Sequence, residues 1–414
     1  MRILHLNTYD LLGGAARGAH GLHTGLRRLG VDSHLLVQSK SGDEPHVWGP
    51  SGKVAKALTP LLPHLDALPL RIYPRRREDL FSLSWIPNRV LGRVAALKPD
   101  IVHLHWICNG FIPVAALARI DLPLVWTMMD CWPFTGGCHY PAECRGYEKS
   151  CGACPHLGSH NTRDLSRRVW LRKAKHWRGL NLTLNASSRW MASCARNSGL
   201  FGDRPLELIP HGLDLERFRP LSRRTAREIL GLPLQEKLIL FGAFGLGRDP
   251  RKGFHYLKAA LHLLAARGWD KKARLVIFGS SEPAEPLDIG LPTSFLGTLH
   301  DDVAMALAYA AADLLVAPSL QDNLPLIVME AEACGTPAVA FDIGGLPDLI
   351  DHLRTGYLAR PLDAADLAQG IEWVLTDNRR HARLAAAARS KMEQQFDISL
   401  VARQFIDLYQ RLIS

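Results

Sequence analysis

No apolar run in this chain of 414 residues reaches the roughly 20 residues needed to span a bilayer as a helix. The opening, Met1-Arg-Ile-Leu-His-Leu-Asn7, lacks the long apolar core and small-residue cleavage site of a secretory signal. It reads instead as a first buried strand, and a cytoplasmic protein is expected, with peripheral contact to the inner membrane left open. Neither a low-complexity tract nor a solenoid-type repeat is present. Aromatic residues are few, at 7%, and they do not interleave with the basic runs. That scarcity argues against a nucleic-acid-binding protein, a reading that a net charge of +10 would otherwise invite.

Hydrophobic residues make up 47% and charged residues 22%, as in ordinary globular proteins. The length implies about two or three domains. Much of the positive charge lies in Arg71–Arg77 and Arg163–Arg178, which are either solvated faces or a patch for anionic lipid headgroups. Proline-rich Leu58–Arg77 looks like a partly apolar, basic insertion: a surface loop packed on its own prolines, or a membrane or acceptor contact.

Strand-like runs alternate with helix-like stretches throughout, the pattern of an α/β chain with parallel sheets. Strands are predicted at Arg2–Asn7, Ser33–Val37, Asp100–His105, Leu124–Met128 and Asn181–Ala186. A second series has strands at Lys237–Phe241, Arg274–Phe278, Asp313–Ala317 and Ala338–Phe341. Its helices are predicted at Lys252–Arg267, Asp302–Ala311 and Leu324–Cys334. Two doubly wound, Rossmann-like domains follow, at 1–205 and 206–395, with a closing amphipathic helix in 396–414.

In open α/β sheets ligands bind beyond the carboxyl ends of the strands, and four such turns are unusual. Gly13-Gly14 follows the first strand and would let backbone N–H groups approach a phosphate, or simply form a tight turn. Arg248-Asp-Pro-Arg251-Lys252-Gly253 gathers cations where a diphosphate would offset their repulsion from the helix dipole; a solvated loop is the alternative. In Pro318-Ser-Leu-Gln-Asp322-Asn-Leu-Pro-Leu-Ile-Val-Met-Glu330, Asp322 is expected at a helix start. Eight residues of helix would then set Asp322 and Glu330 about 12 Å apart on one face. That separation suits two hydroxyl-rich parts of one ligand and is too long for a shared proton. Asp342-Ile-Gly-Gly-Leu-Pro-Asp348 is a fourth glycine turn, with N–H groups free for a ligand or merely for a helix start.

Together these segments resemble glycosyltransferase family 4, of the GT-B architecture, over nearly the whole chain. Pro318–Pro337 is similar to the family's E-x7-E helix, with aspartate in place of the first glutamate. Ile209-Pro-His-Gly-Leu-Asp214, Arg251-Lys252-Gly253, Gly344-Gly345 and Thr355-Gly-Tyr-Leu add to the match. Val125–Tyr140 with the cysteines after it more narrowly resembles transferases of bacterial exopolysaccharide assembly, of the colanic-acid type.

The resemblance implies a retaining hexosyltransferase without a catalytic metal. It would move a hexose from a UDP- or GDP-sugar to a saccharide acceptor, in particular a lipid-linked one, in polysaccharide synthesis. Glu330 would hold the donor ribose, and Asp322 with the backbone of Asn323 and Leu324 the donor sugar. Lys252, with Arg251 or Arg248, would neutralise the departing diphosphate, Gly13 and Gly14 would meet the phosphates from the first domain, and the closing helix would cross back to brace that domain. The family often carries a histidine where this chain has Met129; Asp130, His139 and His105 are candidates to serve the acceptor in its place, Asp130 also as a catalytic group. A nucleotide-sugar epimerase or hydrolase of the same fold is the rival reading.

Cys138, Cys144, Cys151 and Cys154 are spaced C-x5-C-x6-C-x2-C inside a cysteine-rich insertion at 138–156. A structural zinc, disulfides and free thiols are all compatible with that spacing, with His139 and His156 as alternative ligands.

Overall fold

A computed structural model describes all residues except 243, 244, 248 and 286. The chain divides into two compact units, Met1–Gly212 together with Ile398–Ser414, and Leu213–Asp397. Each is built on one sheet.

The first sheet contains β1 (Arg2–Tyr9), β2 (Asp32–Ser39), β3 (Val47–Trp48), β4 (Ile101–Leu104), β5 (Leu124–Met128), β6 (Leu182–Ala186) and β7 (Leu206–Leu208), in the order β3-β2-β1-β4-β5-β6-β7. All its ladders are parallel. The second contains β8 (Lys237–Gly242), β9 (Ala273–Phe278), β10 (Thr293–Phe295), β11 (Leu314–Ala317), β12 (Ala338–Phe341) and β13 (Gly356–Ala359), again parallel, in the order β10-β9-β8-β11-β12-β13. Both sheets reverse their winding beside their first strand, between β1 and β4 and between β8 and β11. Such a reversal opens a crevice at the carboxyl ends of the strands, where Rossmann-type folds take ligands.

Side chains alternate across the pleat, and in the second sheet the two faces differ in size. Ala317, Ala338 and Ala340 face one core with Leu238 and Leu240, while Val316, Val339 and Phe341 face the other with Ile239 and Phe241. The small face lets helix Leu326–Ala333 pack through Val328, Met329 and Ala331.

The domain boundary is corrected here. The boundary does not fall at 206, because Leu206 pairs with Leu184 and extends the first sheet; the division lies between Gly212 and Leu213. The closing helix, Ile398–Ile413, belongs to the first unit, where Val401, Phe405, Leu408 and Tyr409 join Ile3, Leu22 and Leu26 in one core.

The proline-rich insertion is helical rather than a loop. Lys53–Leu58, Thr59–Leu61, Leu62–Ala67 and Leu68–Ile72 follow one another as short α and 3-10 turns, with prolines at the starts of the last three. Proline is tolerated there because its missing N–H would have no partner in a first turn.

Within helix Leu326–Ala333, Glu332 is wholly buried and neither carboxylate oxygen has a hydrogen-bond partner. Burial pushes its pKa well above the usual value. A carboxyl raised in this way is protonated when folded, so its contribution to stability falls as pH rises above the unfolded-state value. Glu332→Gln should therefore melt a few degrees above the parent at pH 8 and show a smaller gain at pH 5, in thermal scans at both pH values.

Candidate donor and acceptor sites

The second unit's site forms where three loops meet beyond β8, β11 and β12. Pro250–Lys252 is a single 3-10 turn, capped by the Asp249 carboxylate, which accepts from the Arg251 N–H. Helix Phe254–Ala265 begins only after Gly253, so the cations precede the helix instead of opening it, and Asp249 offsets their charge. Leu320 N–H donates to the Arg251 carbonyl at 2.7 Å, tying this turn to the loop after β11. Gly253 has φ +67°, and a Cβ there would lie 1.8 Å from the Pro318 oxygen. On the other side, Gly345 N–H donates to the Asp322 carbonyl at 3.1 Å, and a Cβ on Gly344 (φ +62°) would lie 2.3 Å from that oxygen. Only glycine permits both approaches.

Asp322 stands at the centre. Its Oδ2 accepts from Lys252 Nζ at 2.7 Å, and its Oδ1 from the Asn323 N–H at 3.1 Å. Burial alone would raise its pKa, but the cations of Lys252 and Arg251 and these hydrogen bonds more than offset it and hold the carboxyl below its usual range. It is not a helix cap: helix Leu326–Ala333 starts four residues later, with Pro325 at the cap position. The 12 Å separation expected from an unbroken helix therefore does not apply to Asp322 and Glu330.

Glu330 lies inside that helix, 1% exposed, and accepts from the Tyr309 hydroxyl at 2.6 Å. Sequence reasoning missed Tyr309; its only signal is an aromatic residue in the otherwise alanine-rich helix Asp302–Ala311. Arg251 is directed to the Gln321 carbonyl at 3.3 Å and to Asp249 at 2.6 Å. Asn323 and Leu324 are buried in the same loop. Arg248 falls outside the described residues.

In the first unit, Gly13 has φ +85° and precedes helix Gly14–Arg28, whose first turn carries no acidic residue and no side-chain cap. The space that a Cβ would occupy at Gly13 and at Gly14 is open. Asp10 fixes the strand end by accepting from the N–H groups of Ser41 and Gly42 at 2.7 and 2.8 Å.

Beyond β5, Asp130 and His139 come together. His139 Nδ1 lies 2.6 Å from Asp130 Oδ2 and its Nε2 lies 2.9 Å from Ser82 Oγ, while the Trp106 indole N–H donates to Asp130 at 2.8 Å. A histidine is thus held on the neighbour of Met129, supplied from ten residues further along the same segment. Trp106 and Ser82 were not anticipated.

His105 is placed elsewhere. It stacks on His103 at 4.2 Å between ring centroids, and its Nε2 lies 2.9 Å from His5 Nδ1. Burial lowers all three histidines well below their usual pKa, so they are neutral. Among the described residues theirs are the only three ligand atoms within 4.8 Å of one another. Both nitrogens of His103 are already committed, to Tyr409 at 2.6 Å and Thr127 at 2.7 Å. His105 is corrected from an acceptor group to part of this interior stack.

The model described as Glycosyltransferase Family 4 matches residues 12–217, and that described as Glycosyl transferases group 1 matches 236–377. A D-inositol 3-phosphate glycosyltransferase of Xylanimonas cellulosilytica is 30% identical over 334 residues, covering 75% of this chain and 71% of that protein. The chain belongs to glycosyltransferase family 4. Its architecture is GT-B: sucrose-phosphate synthase from Thermosynechococcus elongatus superposes with a TM-score of 0.72 at 20% identity, covering 100% of this chain and 99% of the other. Anabaena HepE, solved with UDP and glucose, gives 0.66 at 18% identity, with both chains covered in full.

This family 4 glycosyltransferase keeps its central acid and cation in one contact that depends on Gly253. Gly253→Ala should lower stability by at least about 2 kcal/mol, from backbone strain and the clash with Pro318, as read by urea denaturation. A variant as stable as the parent would show that the loops are not locked together.

Proposed function

We propose that the protein is a retaining hexosyltransferase that takes its sugar from a UDP- or GDP-hexose. The observation carrying this reading is the 2.7 Å contact between Lys252 and Asp322. In a nucleotide sugar the anomeric carbon is joined directly to the diphosphate, so a phosphate-binding cation and a sugar-binding carboxylate must be neighbours. Lys252, supported by Arg251, would take the negative charge that grows on the departing diphosphate as the C1–O bond breaks; charge fixed in advance is the main source of such stabilisation. Asp322 would accept from a sugar hydroxyl, and Glu330, oriented by Tyr309, from the ribose hydroxyls. The transfer would use no catalytic metal. Anabaena HepE, which has the same fold, has been solved with UDP-glucose, which favours a nucleotide diphosphate in this role.

On the acceptor side Asp130 and His139 would bind the incoming hydroxyl. A lipid-linked saccharide is the proposed acceptor, with synthesis of bacterial polysaccharide as its setting and the inner face of the membrane as its location. Supporting this is a stripe in the proline-rich insertion: Val54, Leu58, Leu61, Leu65, Leu68 and Ile72 are all exposed, at 44–74%. Their spacing of three and four residues keeps them on one side of the helical stretch. Leu62, Asp66 and Leu70 are turned inward, and Lys53, Lys56, Arg71 and Arg75–Arg77 lie exposed around the stripe. Apolar side chains rimmed by cations suit an anionic bilayer surface.

Donor binding is tested by thermal shift with UDP, GDP and ADP, since a ligand of the native state raises the melting temperature; no shift with any of them would remove the reading. Lys252→Ala should lower kcat by roughly 10²–10³-fold. Glu330→Gln should chiefly raise the donor KM, and NMR of the product should show the donor's anomeric configuration. Rapid consumption of donor without acceptor would favour the hydrolase or epimerase instead. For the membrane contact, Leu58→Asp/Leu65→Asp should abolish flotation with phosphatidylglycerol vesicles while leaving UDP binding unchanged.

A further inference from the structure

The four clustered cysteines surround a common space. Cys138, Cys144, Cys151 and Cys154 line one cavity of about 10 Å³, and all four are free thiols. Around them the backbone directs donors at sulfur. Gly146 N–H donates to Cys144 Sγ at 3.4 Å, the amides of His156 and Leu157 lie at Cys154, and that of Gly136 lies at Cys151. Thiolates accept such bonds more strongly than thiols do. Cys151, Gly152 and Ala153 all have positive φ, so the Cys-x-x-Cys segment is a tight turn that returns its second sulfur to the first.

A buried lysine stands next to this ring. Lys173 is 0% exposed and donates to the Trp132 and Thr135 carbonyls, with Nζ 3.7 Å from the centre of the Trp132 ring. Burial lowers its pKa to about 7 against the fields of Cys108, Cys151, Cys138 and Asp130, and no carboxylate forms an ion pair with it among the described residues. An isolated interior charge is expensive unless something opposite balances it. Four thiolates around one Zn²⁺ carry a net double negative charge and would do so.

We propose that Cys138, Cys144, Cys151 and Cys154 form a closed, structural tetrathiolate zinc site whose negative charge is partly offset by Lys173. The two histidines near the cluster are not ligands: His139 is held by Asp130 and Ser82, and His156 by Asp79 at 2.9 Å and the Pro141 carbonyl at 3.3 Å. The sulfurs stand wider than zinc would hold them. Among the described residues no three of them lie within 4.8 Å of one another, against roughly 3.8 Å for zinc–sulfur bonds of about 2.3 Å in a tetrahedron. Metal binding draws this ring inward, and with it Cys138, the neighbour of His139.

The test is metal content. Protein purified under reducing conditions without chelator should contain one zinc per chain by inductively coupled plasma mass spectrometry, released on titration with a mercurial. Cobalt substitution should give the intense sulfur-to-metal charge-transfer bands of a tetrathiolate. Cys154→Ser should lose the metal, and Cys334→Ser, in the other unit, should retain it. Folded wild-type protein without stoichiometric zinc, whether its intact mass shows disulfides or its four thiols titrate freely, overturns the proposal.

Discussion

The site at the strand ends of the second sheet depends on an ion pair made possible by missing side chains. Lys252 and Asp322 come from loops 70 positions apart in the chain, and their charges meet only because Gly253 lets one backbone rest on the other. The pair also settles a conflict of electrostatics. A buried carboxylate is unfavourable alone, and a cluster of cations is unfavourable alone; each relieves the other, and in the proposed reaction the donor's diphosphate would compete for the lysine. Asp322 is thereby kept ionised inside the fold and ready to accept hydrogen bonds.

Position within the sheet comes from winding order. Both units reverse direction beside their first strand, so each leaves an open crevice at its strand ends without any special sequence. The second unit adds asymmetry: alanines on one face of β11 and β12 admit the helix that bears Glu330 at close range, while Val316, Val339 and Phe341 fill the opposite face. Site and core are built from the same alternation.

Much of this was legible in the sequence. Strand and helix positions in both series follow from apolar periodicity, and the glycosyltransferase family from the residues around Lys252 and Glu330. What failed had identifiable causes. Asp322 read as a helix cap because Asp-Asn before an apolar run is a capping pattern, yet Leu-Pro delays the helix to Leu326. His105 could not be distinguished from a ligand-binding histidine, because its place depends on His5, 100 positions earlier, and on its stacking against His103. Tyr309, Trp106 and Ser82 give no local signal, being ordinary residues until folding brings them to a carboxylate or an imidazole. The boundary at 206 was missed because a three-residue strand carries too little pattern to assign to either sheet.

The final helix has a consequence for how the protein is made. Residues 398–413 complete the core that Ile3, Leu22 and Leu26 begin, but they are synthesised after the whole of the second unit. During translation the earlier unit therefore waits with one apolar flank uncovered while the later one can already close around its own sheet. Order of synthesis and order of completion are reversed, so a ribosome that stalls before residues 398–413 are made damages the part of the protein it made first.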